Sequence, residues 1–339
     1  MAAGGHDHRL RRRAHPLIPT AILREARTGF ELGRGSVRVL SMRFGKVCLA
    51  HRAHDGTHTQ LRLVREQPET VTRLSAESAW LTHLSHIHRL AVPFPQRWMD
   101  GTLLSPPITA RDGTVWRAAA CSWVVGRHLN RGLDAHEMRR VGALIAHMHL
   151  ANRDAPPEIA AARPTWWIPR LLELATTLRD VVRGTSEAQT ALSSQLARDI
   201  RLAHDALLSA HAALPVGPDV SGLIHTDAHW QNLRFTERRV GIVDFEDFAN
   251  GRFMLDIACL WGKVEARTDA RRLLDAILEG YDRVSPLPPG YLRDLHVMLA
   301  FRRFDYAGWV LSWPRSDLHA WGPGLLTNLR AYIERQLAL

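Results

Sequence analysis

The hydrophobic pattern of the chain changes about a third of the way along its length. Before that point, apolar and polar residues alternate over short segments separated by turn residues, which predicts β-strands. These strands are expected at residues 37–42, 46–52, 59–64, 96–100 and 115–125. This order of strands predicts an antiparallel sheet in a small N-terminal lobe. A short helix is expected before the sheet at residues 22–28, and another after the third strand at residues 70–84.

Beyond residue 125 the apolar residues recur at helical spacing. Asp134 and Glu137 resemble a capping box, and a buried stripe follows at Met138, Val141, Leu144, Ile145 and Met148. Further helices are predicted at residues 168–182, 187–214, 254–263, 269–282, 288–311 and 323–338. The predicted fold class is therefore α+β, with a small antiparallel sheet lobe and a larger, mostly helical lobe. The expected domains are a mobile basic tail with a short helix at 1–34, an N-terminal lobe and hinge at 35–125, and a C-terminal lobe at 126–339.

Length and composition are those of a globular protein, since 339 residues suffice for two cores and 46% of them are apolar. The net charge of +10 is concentrated at the start, where residues 1–75 carry an excess of eight positive charges. With no nucleic-acid module in the sequence, this argues against a nucleic-acid partner. Three scattered cysteines, Cys48, Cys121 and Cys259, indicate reduced thiols. No apolar stretch is long enough for a membrane span, so a cytoplasmic protein is expected.

The segment from His225 to Asn232, followed by Asp244, carries the strongest chemical signal. Transfer of a phosphoryl group from a nucleotide requires a carboxylate facing the attacking hydroxyl and hard oxygen ligands for a metal ion. Asp227 can accept the hydroxyl proton, while Asn232 and Asp244 can supply the metal ligands. Each residue alone would ordinarily be read as a turn residue at a strand end. Their conjunction on apolar strands, with Asp256 twelve residues later, favours the phosphotransfer site.

The pattern H-x-D-x-x-x-x-N at residues 225–232 and the sequence I-V-D-F-E at 242–246 resemble the aminoglycoside phosphotransferase and choline kinase family, which has a protein-kinase-like fold. The resemblance implies a kinase that uses ATP and Mg²⁺. It assigns Asp227 as the catalytic base, Asn232 and Asp244 as metal ligands, and His225 and Asp256 as supports of the catalytic loop. Because Thr226 stands where protein kinases have Arg, control by activation-loop phosphorylation is not expected.

The same resemblance implies a nucleotide site in the N-terminal lobe. Arg62, in the third strand, occupies the position of the phosphate-binding cation, and Glu77 on the following helix is its expected partner. An exposed strand arginine and a surface glutamate are the alternatives. Ser122, Trp123 and Val124 would form the hinge that contacts adenine, although Trp123 could instead pack in the core. No glycine-rich phosphate loop is present in this region, since its first turn holds only Gly45.

The acceptor site is expected to be formed by the helices after Asp244 and by the insertion at residues 164–214. The candidate side chains are Asp247, Trp166, Trp167, Arg302 and Trp309. An aromatic stripe at helical spacing is more often part of a core. Two histidine clusters, at 51, 54 and 58 and at 83, 86 and 88, have spacings that can bind zinc, but neither has an obvious Cys or carboxylate to complete it, which favours solvated histidines.

The expected function is transfer of the γ-phosphoryl group of ATP to a hydroxyl of a small molecule, either an antibiotic or a metabolite. One alternative is a protein Ser/Thr kinase of the bacterial stress-response type, which shares these motifs. Another is a nucleotide-binding scaffold with little turnover, suggested by the Arg at position 62 and the missing glycine loop. The sequence leaves the acceptor, the preference for ATP over GTP and the oligomeric state open.

Overall fold

A five-stranded antiparallel sheet is the main feature of the first part of the chain. The computed structural model describes residues 20–43, 46–129, 133–165 and 194–311. The strands are β1 (Gly35–Arg43), β2 (Lys46–Ala53), β3 (His58–Arg65), β4 (Ile108–Thr109) and β5 (Val115–Ser122), in the spatial order β1-β2-β3-β5-β4. Helix α1 (Thr20–Gly29) precedes the sheet, and helix α2 (Pro68–Thr82) follows β3 and ends in a π-helical turn at His83–Ile87.

Alternation of apolar residues in the strands builds the core of this sheet. Val47 and Leu49 in β2, and Leu61 and Leu63 in β3, are almost fully buried. Helix α1 packs against this core through residues four apart, Ile22 and Ala26. The predicted helix at 22–28 and the first three predicted strands are confirmed to within one or two residues. Apolar residues repeat about every four positions in the helix and mostly every second position in the strands.

The strand predicted at residues 96–100 is wrong. Gln96 donates one backbone hydrogen bond to Ala120, but the chain then turns back on itself, with Gly101 N bonded to Trp98 O at 2.7 Å and Trp98 N bonded to Thr102 O at 2.7 Å. The Asp100 carboxylate accepts from Thr102 N at 2.9 Å and closes this turn. A local Asx turn thus replaces the ladder that the sequence pattern suggested.

Helices dominate the second part of the chain. They are α3 (Ala135–Leu150), α4 (Pro157–Ala161), α5 (Ser194–Ala212), α6 (Met254–Trp261), α7 (Ala270–Asp282) and α8 (Tyr291–Leu311). Four short strands lie among them: β6 (Ser221–Ile224) pairs with β9 (Ala249–Arg252), and β7 (Leu233–Phe235) pairs with β8 (Val240–Ile242). The helices predicted at 168–182 and 323–338 fall outside the described residues, as do the tail up to residue 19, Trp166 and Trp167.

Helices α3 and α7 approach each other closely at two glycines. A Cβ atom at Gly142 would lie 2.0 Å from the Ile277 carbonyl oxygen, and one at Gly280 would lie 1.9 Å from the Arg139 carbonyl oxygen. The absence of side chains at both positions allows the two backbones to come together. The predicted capping box at the start of α3 is confirmed, with Glu137 N bonded to Asp134 at 3.0 Å and Asp134 N bonded to Glu137 at 2.9 Å.

The described residues divide into two compact units. The first comprises residues up to Ser78 together with Pro93–Trp123, and the second comprises Ala79–Val92 together with the chain from Val124 onward. Residues 79–92 therefore belong to the second unit, whereas the sequence analysis placed them in the first lobe. Trp80 explains this difference, because it stacks on Phe248 of the second unit with ring centroids 6.4 Å apart.

Candidate active site

The segment predicted to be catalytic is a loop that follows strand β6. It begins at His225, passes through Asp227 and ends in a single 3₁₀ turn at Trp230–Asn232 before β7 starts. Thr226 has a φ of 69°, a left-handed conformation that is uncommon for a β-branched residue. Such a conformation persists only where surrounding bonds hold it, and the structure shows those bonds.

Asp256 supplies most of these bonds from the first turn of α6. Its carboxylate is fully buried and accepts hydrogen bonds from His225 N at 2.9 Å and Thr226 N at 2.8 Å. His149 Nε2 lies 3.1 Å from the same carboxylate. Thr226 Oγ1 also donates to the Asp247 carbonyl at 3.0 Å, and the Cys259 thiol donates to the Thr226 carbonyl at 3.1 Å. The loop is thus fixed at its strained residue.

The carboxylate of Asp227 is surrounded by positive and polar groups. Arg302 Nη2 donates to Oδ1 at 2.5 Å, His229 Nε2 lies 3.2 Å from Oδ2, and Asn232 Nδ2 lies 3.4 Å from Oδ2. Burial by itself would raise the pKa of Asp227, but His229, Arg302 and His225 together hold that pKa below its ordinary value. Asp227 is therefore ionised across the physiological pH range. One third of its side chain remains exposed, which leaves room for a ligand.

Asn232 and Asp244 are brought together by the hairpin of β7 and β8. Val243 N donates a hydrogen bond to Asn232 O at 3.0 Å. Asp244 is therefore the next residue after the one that pairs with Asn232. The Asn232 amide nitrogen donates to the Asp227 carbonyl at 3.0 Å, so its amide oxygen is the group left for a cation. Asp244 is exposed and has a φ of 73°. His225 Nε2 lies 3.0 Å from the Val243 carbonyl and ties the loop to this hairpin.

Arg62 and Glu77 form a buried ion pair within the first unit. Arg62 Nη1 and Nη2 donate to the two Glu77 carboxylate oxygens at 2.6 and 2.7 Å, and the residues are 8% and 5% exposed. The readings of an exposed strand arginine and a surface glutamate are therefore wrong. Burial alone would lower the pKa of Arg62, but Glu77 raises it above its usual value, so the guanidinium is permanently charged. Its Nε atom is buried without a hydrogen-bond partner among the described residues.

The predicted hinge residues differ in their backbone hydrogen bonds and in their burial. Ser122 N donates to Phe94 O at 2.8 Å and Trp123 N donates to His58 O at 3.2 Å, so both amides already have acceptors within the first unit. Trp123 is 37% exposed, which shows that it is not a core residue. In the second unit, Val124 is buried.

The acceptor candidates are only partly described. Asp247 is exposed and follows Asp244 in the loop before β9, and Trp309 lies in the last turns of α8. Arg302, which was predicted as an acceptor residue, donates to the Asp227 carboxylate. Sequence reasoning missed His229, His149 and Asn152. Asn152 Oδ1 accepts from Leu223 N at 2.6 Å, and Asn152 Nδ2 donates to Leu223 O at 3.0 Å. His149 lies four residues after Ile145 of the buried stripe, a position that could have marked it as an inward-facing residue.

Residues 50–294 match the family model described as the phosphotransferase enzyme family, APH. The chain belongs to this family. The resemblance stated from the catalytic motif is thereby confirmed. The match covers the third strand with Arg62, the whole catalytic loop and the hairpin with Asp244.

The chain is similar in sequence to curated homoserine kinases and in fold to solved kinase structures. A homoserine kinase of Acidiphilium cryptum (strain JF-5) is 32% identical over 216 residues, which cover 62% of this chain and 60% of that protein. The structure of an amicoumacin kinase in complex with AMP-PNP and Ca²⁺ superposes with a TM-score of 0.73 at 18% identity, covering 94% of this chain and 93% of the other. A microcompartment-associated aminopropanol kinase gives 0.72 at 20% identity, with 94% and 96% covered. The predicted protein-kinase-like α+β fold is confirmed.

Within the described ranges, no helix is both long and apolar enough to cross a membrane. Cys48, Cys121 and Cys259 are free thiols, as predicted, and burial raises the pKa of Cys259 to about 12. A thiol with so high a pKa is a poor nucleophile, so Cys259 serves as a donor to the catalytic loop.

Proposed function

We propose that this protein is an ATP- and Mg²⁺-dependent kinase that phosphorylates a hydroxyl group of a small amino alcohol or hydroxy amino acid. The observation that carries the proposal is the constellation in the second unit. An ionised Asp227 is held by Arg302 and His229. Asn232 donates to the Asp227 carbonyl, and Asp244 follows the residue that pairs with Asn232 across the hairpin. A carboxylate for the acceptor and two oxygen ligands for a cation are the requirements of phosphoryl transfer to an alcohol.

Asp227 orients the acceptor hydroxyl and receives its proton. The pKa of Asp227 lies below its ordinary value, so the carboxylate is a weak base, yet phosphoryl transfer passes through a loose transition state in which positioning contributes more than early proton removal. A carboxylate has about four acceptor positions, and Arg302, His229 and Asn232 occupy only part of them. The acceptor hydroxyl can therefore bind without displacing Arg302.

The residues present suit a magnesium ion and a nucleotide triphosphate. Asn232 offers an amide oxygen and Asp244 an exposed carboxylate, which are hard ligands of the kind that Mg²⁺ prefers. When bound, the ion would neutralise phosphate charge. In the first unit, the unpartnered Nε of Arg62 is a buried donor that a phosphate oxygen could satisfy. AMP-PNP in the structure of the amicoumacin kinase supports ATP as the donor.

The choice of acceptor class rests on the relatives. The curated relative from Acidiphilium is a homoserine kinase, and one similar structure is an aminopropanol kinase. Both names denote small molecules that carry a hydroxyl and an amino group. Asp247, exposed and three residues after Asp244, supports this class because its carboxylate could bind an ammonium group.

A panel assay tests the proposal. The purified full chain is incubated with ATP and Mg²⁺ and with homoserine, 1-amino-2-propanol, choline, ethanolamine or an aminoglycoside, and ADP formation is followed. We expect an amino alcohol or homoserine to stimulate ADP release in the parent protein but not in Asp227→Asn. Stimulation by aminoglycoside alone would overturn the acceptor class. Transfer of label to protein in a lysate, without stimulation by any small molecule, would instead support a protein kinase.

A further inference from the structure

The π-helical turn after α2 brings together three side chains that the phosphotransfer site does not use. They are His83 and His88, at the two ends of the turn, and Asp154, which follows the 3₁₀ turn Ala151–Arg153. All three belong to the second unit. The histidine spacing alone favoured solvated histidines with no obvious Cys or carboxylate partner. That expectation is wrong for His83 and His88, because Asp154 lies against both rings and His83 is 7% exposed.

The extra residue in the helical turn is what aligns the two histidines. In a regular α-helix, residues five apart point in directions about 140° apart around the axis. Here His88 N donates to His83 O at 3.3 Å, the i to i+5 bond of a π-helix, and the ring centroids are 4.8 Å apart. Such single-turn insertions are frequently found at functional sites. Trp80 stacks on His83 at 5.5 Å and fixes the direction of its ring.

The ligand atoms have the spacing of a metal coordination shell. His83 Nε2 and His88 Nε2 are 3.2 Å apart, and Asp154 Oδ1 lies 3.3 Å from the first and 2.9 Å from the second. Zinc binds such atoms at about 2.0–2.2 Å, so two ligands at tetrahedral corners are roughly 3.3–3.6 Å apart. The separations of 3.2 and 3.3 Å are close to this range, and the 2.9 Å between Asp154 and His88 is shorter.

Hydrogen bonding alone accounts poorly for this arrangement. His83 Nε2 lies 3.0 Å from the Ala151 carbonyl, and His88 Nε2 lies 2.9 Å from Asp154. If each nitrogen donates to its own oxygen acceptor, two N–H groups stand side by side at 3.2 Å. A divalent cation replaces both protons, accepts electron pairs from both nitrogens, and is balanced by the Asp154 carboxylate.

We propose that His83, His88 and Asp154 bind a zinc ion that has a structural role. Two imidazoles and one carboxylate form a ligand set that suits zinc and not magnesium, which prefers oxygen ligands. Asp154 has 53% of its side chain exposed, so the ion can enter from solvent, and water can take a fourth position.

The site would stabilise the base of the catalytic loop. Its ligands join the end of α2 to the turn at Ala151–Arg153, and Asn152 in that turn bonds both backbone groups of Leu223 in β6. Strand β6 leads directly into His225 and Asp227. Zinc would thus tie the helix end to the strand that presents the catalytic loop.

Metal binding is tested on the untagged full chain, treated with chelator and then titrated with Zn²⁺ in competition with a chromophoric chelator. We expect about one tightly bound equivalent and a rise in the melting temperature of several degrees on zinc addition. His88→Ala and Asp154→Ala should each weaken this equivalent at least tenfold. His86→Ala, in the same turn but outside the cluster, is the matched control and should bind zinc like the parent.

Circular dichroism of the metal-free variants shows whether they fold. If His88→Ala and Asp154→Ala bind zinc as tightly as the parent, other histidines bind the ion and the proposal is overturned. Failure of the folded parent to bind zinc at micromolar concentrations would overturn it as well, leaving a hydrogen-bonded histidine pair. Because the readout is metal binding, its failure is distinct from failure of the proposed kinase activity.

Discussion

Arg302 donates from Nη2 to Oδ1 of Asp227 at 2.5 Å, across 75 positions of sequence. The guanidinium also donates to Asp305 from Nη1 at 3.1 Å, so it is held from both sides. Burial alone would lower the pKa of Arg302, but Cys259, Asp227 and Asp305 raise it above its ordinary value. The Asp227 carboxylate is thus paired with a cation that does not lose its proton. This pairing positions Asp227 and keeps it ionised.

Replacement of Asp227 by Asn should lower kcat by about 10²–10⁴-fold, the usual range for loss of a general base. The affinity for ATP should stay within a few-fold of the parent, because the proposal places Asp227 against the acceptor and not the nucleotide. Single-turnover rates and ATP titrations of both proteins measure the two effects. Asp275→Asn, at an exposed site on α7, is the control. An equal loss of ATP binding and turnover would contradict the role of Asp227.

Replacement of Arg302 by Ala should reduce stability in a pH-dependent way. The pKa of Asp227 is depressed in the folded protein, so its contribution to stability is present above the unfolded pKa of about 3.9 and is lost as the pH falls below that value. The difference in melting temperature between parent and variant should therefore be largest near neutrality and narrow below pH ~3.9. Melts from pH 7 to pH 3 measure it.

Arg271→Ala is the control for this series, because Arg271 forms an exposed pair with Asp275 in the part of the chain that the structure describes. It should change the melting temperature little at any pH, as exposed pairs contribute at most about 1 kcal/mol. A constant difference between parent and Arg302→Ala over the whole pH range would show that the lost stability comes from packing and not from the charge on Asp227.

Arg62 and Glu77 should behave as one unit in a double-mutant cycle. Each single replacement by Ala leaves a buried charge without a partner and should cost about 3–5 kcal/mol, while the double replacement should cost much less than the sum. Urea unfolding and the KM for ATP are measured for all four proteins. The partly exposed pair of Arg117 and Glu66 provides a matched cycle with a smaller coupling. Strictly additive effects at Arg62 and Glu77 would mean that they act separately.

Loss of the Asp244 charge should abolish Mg²⁺-dependent nucleotide binding, whereas Asn232→Ala should be less severe. A carboxylate contributes net charge to a hard cation and an amide oxygen only a dipole. Because Asp244 has a φ of 73°, Asp244→Asn is the cleaner variant, since Asn tolerates this conformation better than Ala does. Calorimetric titrations with ATP at several Mg²⁺ concentrations measure the effect. Nucleotide binding that does not depend on Mg²⁺ in the parent would refute the metal assignment.

Local sequence patterns predicted the elements that depend on local interactions. Alternation of apolar and polar residues in the sequence located β2 and β3, and the capping box located the start of α3. The spacing of Asp227, Asn232 and Asp244 places all three on one short stretch of loop and hairpin, and their roles in phosphoryl transfer stay predictions. The Asx turn at Asp100 was missed, because a side chain that closes a turn competes with strand formation in a way that hydrophobic alternation does not show.

Contacts between distant segments could not be derived from periodicity. The helical pattern places Arg302 on a helix, but the rotation of α8 that directs it to Asp227 depends on packing across 75 residues. Likewise, the histidine spacing at 83 and 88 suggests opposite faces of an α-helix, and only the π-helical turn brings the two rings together. The pairing of His149 with Asp256 spans 107 positions and depends on the same kind of long-range packing.

Asp247 should affect the acceptor and not the nucleotide. Its side chain is exposed, whereas its backbone carbonyl accepts from Thr226 Oγ1 at 3.0 Å, so Asp247→Asn removes the charge while that bond stays in place. We expect the KM for the acceptor to rise several-fold with the KM for ATP nearly unchanged, the signature of lost acceptor binding. Trp309→Ala is expected to act in the same direction. Asp282→Asn, exposed at the end of α7, is the control and should leave both KM values unchanged. A parallel rise of both KM values in Asp247→Asn, or a fall in its melting temperature, would assign Asp247 a structural role and remove it from the acceptor site.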